Sequence, residues 1–133
     1  MTFDLVEPDD AVYADYSANF SAYNAAQSGW SVETFSLVWR KGDHIAAGGR
    51  GLVYLGALEL RGLWVDQADR GAGLGGRLLA AIEDEAWSRG ARKAMLYTYS
   101  WQAEHFYKRN GYAAYARFDF PDGHSRIDMQ KAL

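Results

Sequence analysis

The chain has 133 residues, 49% of them hydrophobic and 23% charged, which is typical of one globular domain with its own core. The absence of cysteine excludes a disulfide framework, a thiolate metal site and a thiol nucleophile. A net charge of −3 argues against a protein that neutralises many nucleic-acid phosphates. No secretory leader or membrane-spanning run is recognisable. We therefore expect a single cytoplasmic domain, residues 1–133, without a metal, nucleic acid or membrane partner.

The first part of the chain predicts a strand, a helix and a β-hairpin. Alternating apolar residues suggest a short opening strand, and large side chains at three- and four-residue steps indicate a helix that ends at Ser28-Gly29. The predicted elements are a strand at 3–6, a helix at 12–26 capped by Asp9 or Asp10, and strands at 33–40 and 45–55.

The second part alternates strands with helices. Its elements are a strand at 57–65 interrupted by Gly62, a helix after the glycine-rich turn 70–76 with an apolar stripe at Leu74, Leu78, Ile82 and Ala86, a strand at 93–99, a helix from its cap Ser100 to Asn110-Gly111, and strands at 112–120 and 125–131. Because hairpins mix with crossover units, the fold class is α/β (α+β): a mixed, mostly antiparallel twisted sheet flanked by helices.

The turn Arg70-Gly71-Ala72-Gly73-Leu74-Gly75-Gly76 is the most informative motif. It is not a P-loop, since no Gly-Lys-Ser/Thr follows. It satisfies G-x-G-x-x-G, but a dinucleotide site needs an acidic residue at the end of the next strand, and residues 94–99 contain none. A purely structural turn is the remaining alternative. Free backbone amides at a helix N-terminus bind phosphates, so we favour a diphosphate site.

Two motifs resemble the GCN5-related N-acetyltransferase (GNAT) superfamily, in particular its small bacterial members. The signature R/Q-x-x-G-x-G/A is matched by residues 70–75, and A-x-x-F-Y-x-x-x-G-Y/F by residues 103–112. The likeness covers residues 57–133 well and residues 1–56 only by predicted layout. The final turn, Phe120-Pro121-Asp122-Gly123-His124, is similar to a subgroup with F-P-x-G-H.

The resemblance implies acetyl-coenzyme A as the co-substrate. The backbone of Leu63, Trp64 and Val65 would pair with the pantetheine arm, Arg70 through Gly76 (Arg70, Gly71, Ala72, Gly73, Leu74, Gly75, Gly76) would hold the pyrophosphate, and Phe106 would lie on a flanking helix. Many members carry Asn where this chain has Ser100, and Gln102 is the candidate replacement. Tyr107 would protonate the departing thiolate, although a core aromatic role is the alternative.

Acetylation of an amine also needs a proton acceptor, because an alkylammonium has no lone pair at neutral pH. Glu59 precedes the turn, where several family members place their base; an ion pair with Arg61 is the alternative. Candidates for binding the acceptor are Phe20, Tyr23, Asn24, Tyr99 and His124. We expect direct attack by a small-molecule primary amine in a ternary complex, with a protein or aminoacyl-tRNA acetyltransferase and a non-catalytic acyl-CoA sensor as alternatives. The 15% aromatic content permits a homodimer.

Overall fold

The computed structural model describes all residues, 1–133. Contacts divide the chain into two compact units, Met1–Ser31 and Val32–Leu133, and each is described by itself. No helix of the chain is both long enough and apolar enough to cross a membrane.

The first unit contains one helix, α1 (Ala11–Ser28). The Asp10 side chain caps it by accepting a hydrogen bond from the Val12 amide at 2.9 Å, and Gly29 ends it in the left-handed conformation at φ 66°. The predicted helix and its cap are therefore confirmed. The strand predicted at 3–6 is wrong, because no other strand pairs with these residues and four residues without a partner leave their backbone groups unpaired.

The second unit is a six-stranded sheet with two helices. Its elements are β1 (Glu33–Lys41), β2 (His44–Tyr54), β3 (Ala57–Val65), a 3-10 turn (Gln67–Asp69), α2 (Leu74–Ser88), β4 (Lys93–Tyr99), α3 (Glu104–Arg109), β5 (Ala113–Asp119) and β6 (Ser125–Ala132). The strand order is β1-β2-β3-β4-β6-β5, antiparallel except between β3 and β4. The predicted fold class is confirmed.

The core lies where α2 packs against β2 and β3. Leu78, Ile82 and Ala86 of the predicted stripe are buried. A Cβ added at Gly49 of β2 would lie 2.6 Å from Ile82 Cδ1, so only glycine allows this close approach. The β2–β3 register shifts at Gly49/Arg50, so β2 has an irregularity beside its glycine pair.

The pairing between β3 and β4 stops early, and this creates the main opening of the molecule. Ala57, Leu58 and Glu59 pair with Lys93, Ala94 and Met95. Beyond that point the strands continue without pairing to each other, and Gly62 has a φ of +77°. The facing strand edges therefore carry backbone amides and carbonyls that have no strand partner, although the Val65 carbonyl and the Tyr99 amide bind side chains of the chain instead.

The helix α3 begins at Glu104 with its N-cap at Ala103, three residues later than the predicted cap Ser100. Ser100 does not cap it. The Ser100 amide donates to the Ser125 carbonyl at 2.8 Å, and the Ser100 hydroxyl accepts from the Ser125 amide at 2.9 Å. Ser100 thus prolongs the β4–β6 ladder, and the helical N-cap is Ala103.

Candidate active site

A cleft of about 1080 Å³ lies between the diverging ends of β3 and β4. Residues of segments 60–65 and 96–99, of α3 and of the glycine-rich turn line it. Most residues predicted to hold the cofactor line it: Leu63, Trp64, Val65, Arg70, Gly71, Gly73, Leu74, Gly75, Gly76, Gln102 and Phe106. Ala72 and Ser100 do not. The Ser100 side chain is held by β6, and Ala72 lies beside the lining glycines of the turn.

The glycine-rich turn presents free backbone amides to the cleft. Gly73 is the N-cap of α2 with φ +77°, and no side chain of the protein caps the helix. The first helix-type bond is donated by the Arg77 amide to the Gly73 carbonyl, and the Arg70 amide donates to the Gln67 carbonyl. Between them, the amides of residues 71–76 lack partners. A Cβ at Gly71 or Gly73 would meet nothing within 4 Å. This open cradle of amides at the positive end of a helix fits a diphosphate.

Two arginines supply positive charge at the same end of the cleft. Arg70 and Arg109 both line it. Arg70 also donates from Nε to the Val65 carbonyl at 2.9 Å, which fixes its side chain across the end of β3. That bond uses a backbone acceptor that sequence interpretation assigned to the ligand.

Tyr107 lies on α3 with its ring buried and its hydroxyl open to the cleft. The ring contacts Phe106 and Tyr112 at centroid distances of 5.1 and 5.8 Å. The hydroxyl has no partner within the chain, and no buried side-chain polar atom is left unsatisfied, so the hydroxyl must reach the open cleft that the residue lines. Burial raises the pKa of Tyr107 above its ordinary value, which keeps the phenol protonated and able to donate.

Glu59 lies outside the cleft lining, on the last residue pair that joins β3 to β4. Its Oε1 accepts from Arg61 at 3.2 Å and its Oε2 accepts from the Tyr54 hydroxyl at 3.1 Å. The ion pair with Arg61, given above as the alternative, is therefore present. A role as proton acceptor stays a prediction, and this geometry favours a route through water over direct contact.

Gln102 and Thr98 organise the open end of β4, which sequence interpretation did not foresee. Gln102 Oε1 accepts from the Tyr99 amide at 3.1 Å and from the buried Thr98 hydroxyl at 3.3 Å, and that hydroxyl accepts from the Ala103 amide. The expectation that Gln102 replaces Ser100 near the cofactor agrees with its position in the cleft wall. Its carbonyl oxygen, however, is committed to the protein backbone.

Asp69, beside the turn, belongs to a charge network that also has no local sequence signal. His44 Nε2 lies 2.9 Å from Asp66 and 3.3 Å from Asp69, and the Lys41 ammonium also binds Asp69. The Lys41 hydrogen bond lowers the pKa of Asp69 below its ordinary value. The ligand atoms of His44, Asp66 and Asp69 lie within 4.8 Å of one another, but Lys41 already balances part of their charge. The expectation that the protein binds no metal stays a prediction.

The predicted acceptor residues lie in two parts of the chain. Tyr99 lines the cleft, and His124 lines a smaller cavity that also includes Tyr99. Phe20, Tyr23 and Asn24 belong to α1 in the first unit. Their role in acceptor binding stays a prediction.

The chain is similar to known proteins in sequence and in fold. Residues 5–112 match the model of the acetyltransferase (GNAT) family. A crystal structure of an acetyltransferase from Bacillus cereus is 31% identical, covers 98% of both chains and has a TM-score of 0.83. A candidate acetyltransferase from Agrobacterium tumefaciens is 29% identical, covers 100% of both chains and has a TM-score of 0.89.

Among curated proteins, blasticidin-S acetyltransferase of Streptomyces morookaense is 44% identical over 63 residues. The match spans 46% of this chain and 46% of that protein. The chain therefore aligns with less than half the length of this relative.

Proposed function

The chain belongs to the GNAT family of acetyltransferases, and from this premise we propose that it moves an acetyl group from acetyl-CoA to a primary amine of a small molecule. The observation that carries the proposal is the set of unpartnered amides at the N-terminus of α2, which opens on the same cleft as the Tyr107 hydroxyl. One cleft thus combines a cradle that suits a diphosphate with a proton donor.

The cleft residues would hold the co-substrate along its length. The amides of Gly73 through Gly76 would bind the pyrophosphate, with Arg70 and Arg109 as counter-charges. The unpaired edges of β3 and β4 would form strand-like hydrogen bonds with the amide-bearing arm. When bound, acetyl-CoA supplies the activated thioester.

Tyr107 acts in this proposal as the general acid. The acceptor's neutral amine forms the new C–N bond as the thioester C–S bond breaks, and the Tyr107 hydroxyl gives its proton to the sulfur. The nitrogen then loses its extra proton, which restores the Tyr107 hydroxyl and leaves a neutral amide and a neutral thiol. Transfer is direct within a ternary complex, because the chain has no cysteine to carry the acetyl group. Glu59 is the proposed acceptor, through water, of the proton that the ammonium must first lose.

Two features support a small-molecule acceptor. The curated relative is named for acetylation of blasticidin-S, and the net charge of −3 disfavours an RNA acceptor. An acetyltransferase for protein or aminoacyl-tRNA amines and a non-catalytic acyl-CoA sensor are the alternatives. The cytoplasmic location, the single domain and the homodimer stay predictions.

Calorimetric titration with acetyl-CoA and a thiol-release assay over a panel of amines test the proposal together. We expect saturable binding, release of thiol with small primary amines, and intersecting double-reciprocal plots, as a ternary complex requires. Absence of both heat and thermal stabilisation would refute the cofactor assignment. Binding without turnover of any amine would favour the sensor, and turnover restricted to peptide or aminoacyl-tRNA amines would favour the macromolecular alternative.

A further inference from the structure

A second cavity, of about 600 Å³, adjoins the cleft. Its lining residues come from the end of β4 and from the turn between β5 and β6: Tyr99, Trp101, Phe120, Pro121, Asp122 and His124. Tyr99 and Trp101 also line the main cleft, so the two cavities are neighbours that share a wall. We call the second cavity the aromatic pocket.

Aromatic rings form most of the aromatic pocket. Tyr99 and Trp101 stack with centroids 4.7 Å apart and planes 3° from parallel, and His124 meets Trp101 nearly at right angles at 5.0 Å. Phe120 lies 6.2 Å from Tyr99. Trp101 nevertheless keeps 59% of its surface exposed. A rigid wall of π-faces with an exposed indole can attract a cation, and tryptophan is the strongest such partner.

The formal charge of the aromatic pocket also favours a cation. Asp122 is the acidic residue in its lining, which contains no lysine or arginine. Hydrogen bonds from the backbone amide and the ring of His124 hold the pKa of Asp122 below its ordinary value, so the carboxylate is ionised at neutral pH. The nearby Arg126 guanidinium stacks on Tyr97 and pairs with Asp128; it does not line the pocket. Anions are therefore disfavoured.

We propose that the aromatic pocket binds a second cationic group of the acceptor, an ammonium or quaternary ammonium that is not itself acetylated, while the reacting amine lies in the main cleft. The inference rests on the proposed function, because it assigns the shared Tyr99–Trp101 wall to an acceptor that extends from one cavity into the other. The substrate class is a small molecule that carries an amine and a separate fixed cation.

A pair of isosteric acceptors isolates the charge. Aminoalkyl trimethylammonium compounds of increasing chain length are compared with the corresponding aminoalkyl tert-butyl compounds, which have the same shape without the charge. Hydrophobic burial alone favours the neutral member. We expect kcat/KM for the cationic member to be about 3- to 30-fold higher at the best chain length, which is the range that a cation–π contact supplies.

Variants assign that preference to the pocket. Trp101→Leu is expected to bring the ratio of kcat/KM within each pair close to one, whereas Trp101→Phe retains part of it. Tyr115→Leu, at an exposed aromatic of β5 outside both cavities, is the control and keeps the full ratio. The ratio is used because Trp101 also borders the main cleft. A change in acetyl-CoA binding alters kcat/KM for both isosteres equally and leaves their ratio unchanged. Equal use of the two isosteres by the native protein overturns the inference, as does a preference that survives Trp101→Leu.

A binding measurement separates this inference from the proposed function. If no amine is acetylated, the proposed function fails, and the pocket is judged by titrating tetramethylammonium chloride against sodium chloride in the presence of coenzyme A. The readout is the side-chain indole resonance of Trp101, assigned by its loss in Trp101→Leu. A saturable shift supports the cation subsite, and an unchanged resonance overturns it.

Discussion

Tyr107 combines a packing role with the proposed role of general acid. Its ring is 8% exposed and belongs to the core cluster, which satisfies the helical pattern of α3. Its hydroxyl contributes no hydrogen bond to that core and is left open to the cleft. Because the two ends of the side chain have separate roles, removal of the hydroxyl alone leaves the packing intact.

We therefore predict that Tyr107→Phe lowers kcat by roughly 10²- to 10³-fold, as expected for loss of a general acid, with little change in the melting temperature or in the dissociation constant of acetyl-CoA. Tyr115→Phe is the matched control and keeps full activity. Steady-state kinetics and calorimetry supply the measurements. Equal kcat for Tyr107→Phe and the native protein would remove Tyr107 from the mechanism.

In the proposed mechanism, the same residue sets the alkaline limit of activity. The acid works in its protonated form, and burial raises its pKa above the ordinary value of about 10. Activity that depends on Tyr107 is therefore complete at neutral pH and is lost only as pH rises through the raised pKa. The profile of kcat against pH should thus lack a Tyr107-dependent fall below pH about 10.

At the scale of elements, local patterns predicted α1, α2 and the six strands of the sheet, together with the turn that begins α2. These elements follow from apolar periodicity and glycine positions that lie within a few residues of each other. The strand at 3–6 and the start of α3 failed for a common reason. Their outcome depended on partners far away in the chain: a missing strand in the first case, and Ser125 in the second.

The site was predicted in the same uneven way. The turn and α3 carry their residues in sequence order, and most of the residues predicted to hold the cofactor line one cleft. The early end of the β3–β4 pairing, the Glu59 contacts with Arg61 and Tyr54, and the aromatic pocket each join segments remote in sequence. Periodicity contains no information about such contacts, and the structure was needed to find them.

The glycine-rich turn permits a prediction with a matched control. Gly73 and Gly56 have φ values of +77° and +76°, and at both an added Cβ meets nothing within 4 Å. Alanine is strained at each position, by about 1–2 kcal/mol, so Gly73→Ala and Gly56→Ala should lose similar stability in urea unfolding. Of these two residues, only Gly73 contributes an amide to the proposed diphosphate site. We expect Gly73→Ala to weaken acetyl-CoA binding roughly tenfold or more, and Gly56→Ala to leave it unchanged. Equal affinities in calorimetry would contradict the amide cradle.

At the scale of the whole sheet, the cleft lies between the two neighbouring strands that share the fewest paired residues, β3 and β4. Six strands form two antiparallel groups, β1-β2-β3 and β4-β6-β5, which meet through a short parallel contact at one end. The Arg92 amide adds a hydrogen bond to the Gly56 carbonyl at that same end. Toward the glycine-rich turn, nothing in the sheet ladder joins the two groups. A ligand in the cleft would supply the missing contacts.

Hydrogen exchange should detect the missing strand contacts and their replacement by a ligand. Without ligand, amides on the facing edges of residues 60–65 and 96–98 lack a strand partner and should exchange rapidly, because exchange follows local opening. The Tyr99 amide donates to Gln102 and is excepted. Saturating acetyl-CoA should slow exchange in peptides that cover these segments and residues 70–76, while β6, which pairs on both sides, changes little. Ligand at 100 times its dissociation constant also adds about 2.7 kcal/mol of stability, visible as a higher melting temperature. If the melting temperature rises but protection is confined to segments outside the cleft, acetyl-CoA binds elsewhere, and the join between the two groups of strands is not its site.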